Sequence, residues 1–364
     1  MLINLYTNNF VRVSWCGVMS DYFLAVNGVK QGGVLSPVLF CVYIDDLLLA
    51  LSKSGVGCYI GSNFVGALAY ADDIVLIAPT ATALRKLLAI CGEYASEYCI
   101  SFNAAKSKCL VVLPRSRRDL RSKLSNCAFT VNKQPIEFVE SFKHLGHIIT
   151  SNFEDDSDIS NRRNDFIGQV NNMLCYFRKL TSFVKYRLFR SYCTSYYGCE
   201  LWSFLTKNIE DVCVSWRKSI RSVWSLPQCT HCYILPLVCH CLPIFDEICR
   251  RSLNFARACV FHESALVRRI ASYGINFARS ESLIGQNVLF CIDRYKCTIN
   301  DILYGSVNRI IYSQYYSTLD DGQLHIADFL SELIDVRDNR HEFADNLSLS
   351  YDEVNDNILY VCTC

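Results

Sequence analysis

Two adjacent carboxylates set in an apolar run constrain this chain more than any other stretch. Tyr70-Ala71-Asp72-Asp73 follows Gly66-Ala67-Leu68-Ala69 and precedes Ile74-Val75-Leu76-Ile77-Ala78. Ionised side chains are costly to leave unpaired among apolar neighbours, so the pair asks for a turn or a ligand. The run from Leu68 to Ile77 is too short, and after the aspartates too rich in β-branched residues, for a helix. It reads as two short strands joined by a tight turn at Ala71-Asp72. A carboxylate at such a hairpin tip can hold a hard cation such as Mg²⁺, which keeps positions open for water and substrate phosphates. That suits phosphoryl or nucleotidyl transfer. An Asp-Asp turn that caps its own backbone would read the same from these residues alone.

With 364 residues, 51% of them hydrophobic, the chain can bury one large core or two smaller ones, and its length suggests about two domains. A formal net charge of +1 provides no chain-wide basic field, so a nucleic-acid surface has to be local. The 21 cysteines are scattered through apolar runs, Cys41, Cys91, Cys99, Cys109, Cys175 and Cys259 among them, as reduced core residues would be. No basic segment followed by an apolar stretch and a cleavage site opens the chain, and no span of about 18 apolar residues suggests a membrane helix. The reading is an intracellular, reduced, globular protein without a membrane partner.

Phe10 to Trp15 alternates as a strand does, and Tyr22 to Val26 follows a Ser-Asp turn as a second strand. The chain opens on what reads as element interior, without the polar lead-in of a free domain terminus. From Gly28 to Phe40, glycines lead through Ser36 as N-cap and Pro37 as first helical residue into an apolar helix. Glycines there let backbone approach a phosphate or sugar, and Gln31 can hydrogen-bond a nucleotide edge or ribose, although a plain loop-to-helix junction looks alike. The helix contains Tyr43-Ile44-Asp45-Asp46, a second aromatic-x-Asp-Asp. Helical spacing offers no turn to aim both carboxylates at one point, so Asp45 and Asp46 read as helix-surface or interdomain-facing residues, and Asp72 and Asp73 as the site. Ala83 to Cys99 reads as an amphipathic helix, and Ser101 to Val112 as a loop carrying Lys106 and Lys108 into a strand. Arg115, Arg117, Arg118, Arg121 and Lys123 form a basic cluster able to meet phosphates, or a solvated loop, as charge runs usually are. Phe138 to Thr150 reads as a hairpin turning near Gly146.

Gly28-Val29-Lys30-Gln31-Gly32 with Leu35 to Phe40, then Tyr70-Ala71-Asp72-Asp73, then Asn103 to Lys108, then Phe142-Lys143-His144-Leu145-Gly146 resembles in order and spacing the palm motifs B, C, D and E of reverse transcriptases. The likeness is nearest to those of non-LTR retrotransposons. It implies an RNA-directed DNA polymerase that uses an RNA template, a DNA primer, deoxynucleoside triphosphates and Mg²⁺ or Mn²⁺. By this resemblance Asp72 would ligate the catalytic metals and Asp73 would support them. Gln31, Gly32 and Tyr70 would contact template or incoming nucleotide, Lys106 in preference to Lys108 would lie near the triphosphate, and Phe142, Lys143, His144, Leu145 and Gly146 would grip the primer end. Two-metal catalysis needs several carboxylates around ions about 3.5–4 Å apart. The family takes a further aspartate from motif A, upstream of motif B. Only Met1 to Asn27 precedes motif B here, with Asp21 in a turn. The expectation is therefore a fragment without motif A and fingers, inactive alone, whose missing upstream segment belongs to the same gene.

The implied fold is α+β: a palm remnant, antiparallel sheet with helices, over residues 1–150, a helical thumb and connection over 151–268, and a C-terminal region over 269–364. Glu154 to Asp158 reads as an acidic linker, after which Arg162, Arg163, Arg178, Lys179, Lys185, Arg187 and Arg190 interleave with a helical pattern. Tyr176, Phe177, Tyr186, Phe189, Tyr192, Tyr196, Tyr197 and Trp202 accompany them. Aromatics beside cations can stack on bases, but at helical spacing most should be core. Lys185 to Trp202 resembles the thumb of the same enzymes. Cys229, His231, Cys232, Cys239, His240 and Cys241 are zinc-ligand types, yet their spacing closes no four-ligand pattern and a structural role is expected. Asp320 to Asp356 is acidic and polar, which suggests a frayed tail. Two rival readings stand beside the polymerase. One is a non-catalytic nucleic-acid or protein-binding remnant of a mobile element; the other is an unrelated metal-dependent nucleotidyl transferase, which would need a full carboxylate set within the chain.

Overall fold

The computed structural model describes residue 7, residues 9–25, residue 28, residues 32–113 and residues 128–346, the last eight by backbone alone. These fall into two compact units, one drawn from Met1–Cys109 and Arg118–Phe138, the other from Leu110–Arg117 and Val139–Cys364. The chain is mixed α+β, and every sheet among the described residues is two-stranded.

In the first unit, β1 (Phe10–Val11), β2 (Ser14–Trp15), β3 (Val18–Met19) and β4 (Phe23–Leu24) form one hairpin, β1 pairing with β4 and β2 with β3. Its turn residues Cys16 and Gly17 both take positive φ (48° and 82°), the twist that two-residue hairpin turns require. Helix α1 (Ser36–Lys53) begins one residue earlier than its sequence suggests: Leu35 is the N-cap and Ser36 already helical. Pro37 is tolerated in that first turn because the N–H groups there have no intrahelical acceptor. Ile44, Leu47 and Leu51 face inward at three- and four-residue spacing. After β5 (Tyr59–Ile60) and β6 (Asn63–Phe64) comes the hairpin β7 (Ala67–Tyr70) and β8 (Asp73–Leu76), then α2 (Ala81–Glu97). The Thr80 hydroxyl caps α2 by accepting from the Ala83 N–H at 3.1 Å. Leu47, Leu51, Leu87, Cys91 and Tyr94 form the core of this unit, with Ala67, Ile74 and Leu76 packed on it. The strands β9 (Lys108–Leu110), β10 (Thr130–Val131), β11 (Gln134–Pro135) and β12 (Glu137–Val139) follow, β9 pairing with β12 and β10 with β11.

The second unit opens with the hairpin β13 (Ser141–His144) and β14 (His147–Thr150), then α3 (Asp156–Tyr176) and α4 (Ser182–Tyr192). A 3-10 turn at Cys199–Leu201 leads to α5 (Ile209–Val223), α6 (Ile234–Val238), α7 (Ile244–Val260), α8 (Ala265–Asn276), α9 (Leu283–Tyr295), α10 (Ile299–Tyr304), α11 (Val307–Ser317) and α12 (Asp321–Asn346). Helix α7 packs against α5, α8, α9 and α11, and Phe189, Trp202, Ile209, Ile220, Leu235 and Ile248 are among the fully buried core residues. Where the sequence suggests a frayed tail from Asp320, a helix forms through Asn346. Ala327, Leu330 and Ile334 place one face of it on the core, and Asp338 accepts from the Ser182 N–H at the head of α4 (2.7 Å). Residues 347–364 lie outside the described residues.

The described cysteines are free thiols. Their expected burial holds for Cys91 but not for Cys41, Cys99 and Cys175, which are exposed; Cys109 and Cys259 are half-buried. A helix that is apolar nearly all round, as α1 is, buries only the stripe its neighbours reach, and Cys41 lies off that stripe.

Candidate functional site

The two aspartates stand at a hairpin tip. In β7 and β8, Ala67 lies opposite Leu76, Ala69 opposite Ile74 and Tyr70 opposite Asp73, which leaves Ala71-Asp72 as the two-residue turn. Ala71 takes φ 51°, a left-handed conformation that costs an L-residue roughly 1–2 kcal/mol. With Ala67, Ile74 and Leu76 on the core, strand alternation puts Leu68, Tyr70, Asp73 and Val75 on the opposite face. That corrects the expectation drawn from the apolar flanks. The carboxylates are not in a core: both aspartates are exposed and Tyr70 is 66% exposed, so water meets the desolvation demand. Asp45 and Asp46 lie exposed on α1, away from any turn.

Asp72 and Asp73 come from consecutive positions, one in the turn and one on the strand. Among the described residues no group of three His, Cys, Asp or Glu side chains is placed to hold a metal ion. The pair therefore fits a cation held by one or two carboxylates and completed by substrate phosphates. It does not supply the larger donor set that two ions need.

Of the other expected site residues, Gln31 and the basic cluster from Arg115 to Lys123 lie outside the described residues. Gly32 sits in an exposed turn at φ 77° with open space where a side chain would be. Lys106 is exposed in a turn whose backbone is held by the Asn103 side chain (3.1 Å to the Lys106 N–H), whereas Lys108 is paired with Glu137 at 2.5 Å. Phe142, Lys143, His144, Leu145 and Gly146 run along β13 into its turn, with His144 opposite His147. Leu145 and Gly146 both take positive φ (47° and 83°), again the twist of a two-residue hairpin turn. Phe142, Lys143 and Leu145 are exposed and His144 and Gly146 half-buried. Tyr70, Asp72 and Asp73 thus share one hairpin, and the primer-grip candidates share another in the second unit.

Sequence reasoning missed the residue that holds the second hairpin. Glu154 to Asp158 is not a linker; Asp155, Asp156 and Asp158 open α3, and Asp158 turns inward. Asp158 has no exposed surface, accepts from the Ile148 N–H (3.0 Å) and the Trp202 indole N–H (2.9 Å), and lies 3.1 Å from His147 Nδ1. Burial pushes its carboxyl pKa up, but the adjoining His147, Trp202 and Ile148 groups outweigh this and hold it below the usual range. Asp155 accepts from the Ser203 N–H at 2.8 Å, and Asp156 accepts from the Thr206 hydroxyl at 3.1 Å. The signal in the sequence was acids clustered in a first helical turn.

The aromatics of this region divide rather than mostly entering the core. Tyr186, Phe189, Tyr196 and Trp202 are buried, whereas Tyr176, Phe177, Tyr192 and Tyr197 are exposed. With the exposed group stand Arg178, Lys179, Arg187 and Arg190, also exposed, and no acidic residue lies between Asp165 and Glu200. Arg187 lies over the Phe183 ring at 5.2 Å.

A family model described as reverse transcriptase (RNA-dependent DNA polymerase) matches residues 3–149. Those residues belong to the reverse transcriptase family, in its non-LTR retrotransposon branch. Among curated relatives, the Pol polyprotein of the R2DM retrotransposable element of Drosophila melanogaster is 37% identical over 109 residues, 30% of this chain and 10% of that protein. The R2 element polyproteins of Popillia japonica (34% over 128 residues) and Nasonia vitripennis (28% over 150 residues) are also similar, aligned over 33% and 40% of this chain and 17% and 14% of theirs. The matched stretch thus spans a small part of these relatives. The reverse transcriptase match holds the Asp72 hairpin and ends inside β14, so α3 and everything after it lie beyond the match.

In that region beyond the reverse transcriptase match, the cysteine and histidine group is engaged piecemeal. Cys232 Sγ accepts from Arg221 (3.4 Å), Cys239 Sγ from the Trp224 indole (3.2 Å), and His231 stacks on Tyr233. Elemental analysis of protein purified without added zinc is expected to find far less than one zinc per chain. Stoichiometric zinc that is lost on replacing Cys229 and Cys232 would overturn the structural assignment.

Proposed function

We propose that the chain is the nucleic-acid-holding part of a retrotransposon RNA-directed DNA polymerase, with palm elements in residues 1–150 and a helical thumb after them. The observation that carries this reading is the family match over residues 3–149 together with Asp72 and Asp73 at the tip of an exposed antiparallel hairpin. Asp72, supported by Asp73, would hold Mg²⁺ or Mn²⁺ through carboxylate oxygens, and the ion when bound would neutralise charge on substrate phosphates. Lys106 would lie beside the triphosphate, and its exposure, against the pairing of Lys108 with Glu137, supports that choice. Gly32 and Tyr70, with Gln31, would meet template and nucleotide. The hairpin from Phe142 to Gly146 would hold the primer end, and the exposed Arg178, Lys179, Arg187 and Arg190, in a stretch of sequence without acids and beside exposed aromatics, would hold backbone and bases of the RNA template and DNA primer.

A second reading, a non-catalytic nucleic-acid-binding remnant, has one observation in its favour: two carboxylates are all the described residues bring to the hairpin site. Both readings require these basic residues to bind. Titrating the chain with a labelled RNA–DNA primer–template over a range of salt should show an affinity that falls steeply with salt. Arg187→Ala with Arg190→Ala should weaken it and reduce the log–log slope by about 1.4 to 1.8, since each lost phosphate contact removes roughly 0.7–0.9. An unchanged slope would remove these residues from the proposal.

A further inference from the structure

We propose that Asp158 is a positioning residue for the hairpin β13–β14, fixing the strand behind the turn so that Lys143 is presented to a nucleic-acid strand in one orientation. This rests on the reading of that hairpin as a nucleic-acid contact. An isolated two-stranded hairpin is at best marginally stable in water, so what holds it decides how it presents its side chains.

Among the described residues the hairpin is tied to α3 and to the segment that begins at Tyr197. Asp158, at the head of α3, takes the Ile148 N–H and stands beside His147, and its other oxygen takes the Trp202 indole N–H. One turn further along α3, the Arg162 guanidinium donates to the Gly146 carbonyl and lies over the Tyr197 ring at 5.2 Å. The Tyr197 hydroxyl donates to the Leu145 carbonyl at 2.9 Å. Both turn carbonyls and the strand behind them are therefore bonded to α3 and to the segment from Tyr197 to Trp202. The fit is close. A side-chain carbon at Gly146 would stand 3.2 Å from the Tyr197 ring, and one at Gly198 would stand 3.0 Å from His147 Nδ1. Phe142, Lys143 and Leu145 remain exposed, and strand alternation puts Lys143 with its partner Ile148 on the face opposite Phe142, His144 and His147.

A fully buried carboxylate is expensive unless donors satisfy it, and here the donors are the parts whose relative placement sets the hairpin. Asparagine at 158 keeps the shape but replaces one acceptor oxygen with an NH₂, which faces either the indole N–H or the Ile148 N–H as donor against donor. One of the two ties must open.

The test is a double-mutant cycle on the full chain, read as affinity for a labelled RNA–DNA primer–template. Lys143→Ala should weaken binding about fivefold and lower the salt slope by roughly 0.7–0.9. Asp158→Asn should weaken it to a similar degree, and the double variant should be no weaker than the worse single one, because a loosened hairpin has already lost the Lys143 contact. A structural role elsewhere would instead multiply the two effects. Trp202→Phe, which removes the indole donor to the same carboxylate, should repeat the pattern and serves if Asp158→Asn fails to fold by circular dichroism. If Lys143→Ala leaves binding unchanged, the hairpin reading fails and this inference with it. If Lys143→Ala weakens binding but Asp158→Asn does not, or the effects multiply, the positioning role alone is overturned.

Discussion

Trp202→Ala is expected to unfold the helical unit under conditions in which the unaltered chain is folded. The side chain is fully buried in the larger core, and removing a buried tryptophan costs about 3–5 kcal/mol through lost burial and the cavity left behind. The loss does not stop at packing. The indole N–H is one of the donors to the buried Asp158, and alanine supplies none in its place. An orphaned buried acceptor adds on the order of 1–3 kcal/mol. Whole domains are stable by only about 5–15 kcal/mol. Denaturant titration followed by far-ultraviolet circular dichroism checks this, with Leu205→Ala as an exposed control in the same segment. A midpoint for Trp202→Ala that matches the control would show that the core does not depend on this residue.

The second large effect is a loss of chemistry. The chain by itself is expected to bind a primer–template yet to give no templated extension with Mg²⁺ or Mn²⁺. Asp72 and Asp73 offer a cation one or two carboxylate oxygens, and among the described residues no further ligand joins them. Metal-assisted steps draw several kcal/mol of transition-state stabilisation from a properly held ion. Each ~1.4 kcal/mol lost is tenfold in rate, so a loosely held ion leaves extension orders of magnitude below a working polymerase. Primer extension on an RNA template, with Asp72→Asn as control, is the measurement. Robust extension that disappears with Asp72→Asn would overturn the expectation and would mean that another carboxylate completes the site, with Asp21 and Asp45 the first to replace. Extension lost equally in Asp45→Asn and Asp72→Asn would overturn the choice of hairpin over helix.

What the sequence determined by itself is local in origin. The Ala71-Asp72 turn, the hairpin turning at Gly146 and the existence of helices α1 and α2 follow from alternation and helical spacing, each a property of residues within a few positions of one another. The order of the reverse transcriptase motifs was legible for the same reason, since each is a short string. Tertiary structure alone decided which face of an element meets water. Flanking Leu68 and Ile74 made Asp72 and Asp73 look interior, yet the far face of that hairpin is exposed, because core residues reach it from one side only. The acids from Asp155 to Asp158 looked like a solvated linker, yet Asp158 is buried, because its donors come from ten residues before it in β14 and forty-four residues after it at Trp202. Helix α12 looked like a polar tail until Ala327, Leu330 and Ile334 met a core built from helices far earlier in the chain. A carboxylate's cost in a fold is set by the donors that surround it, and donors brought from distant segments leave no mark on the local pattern.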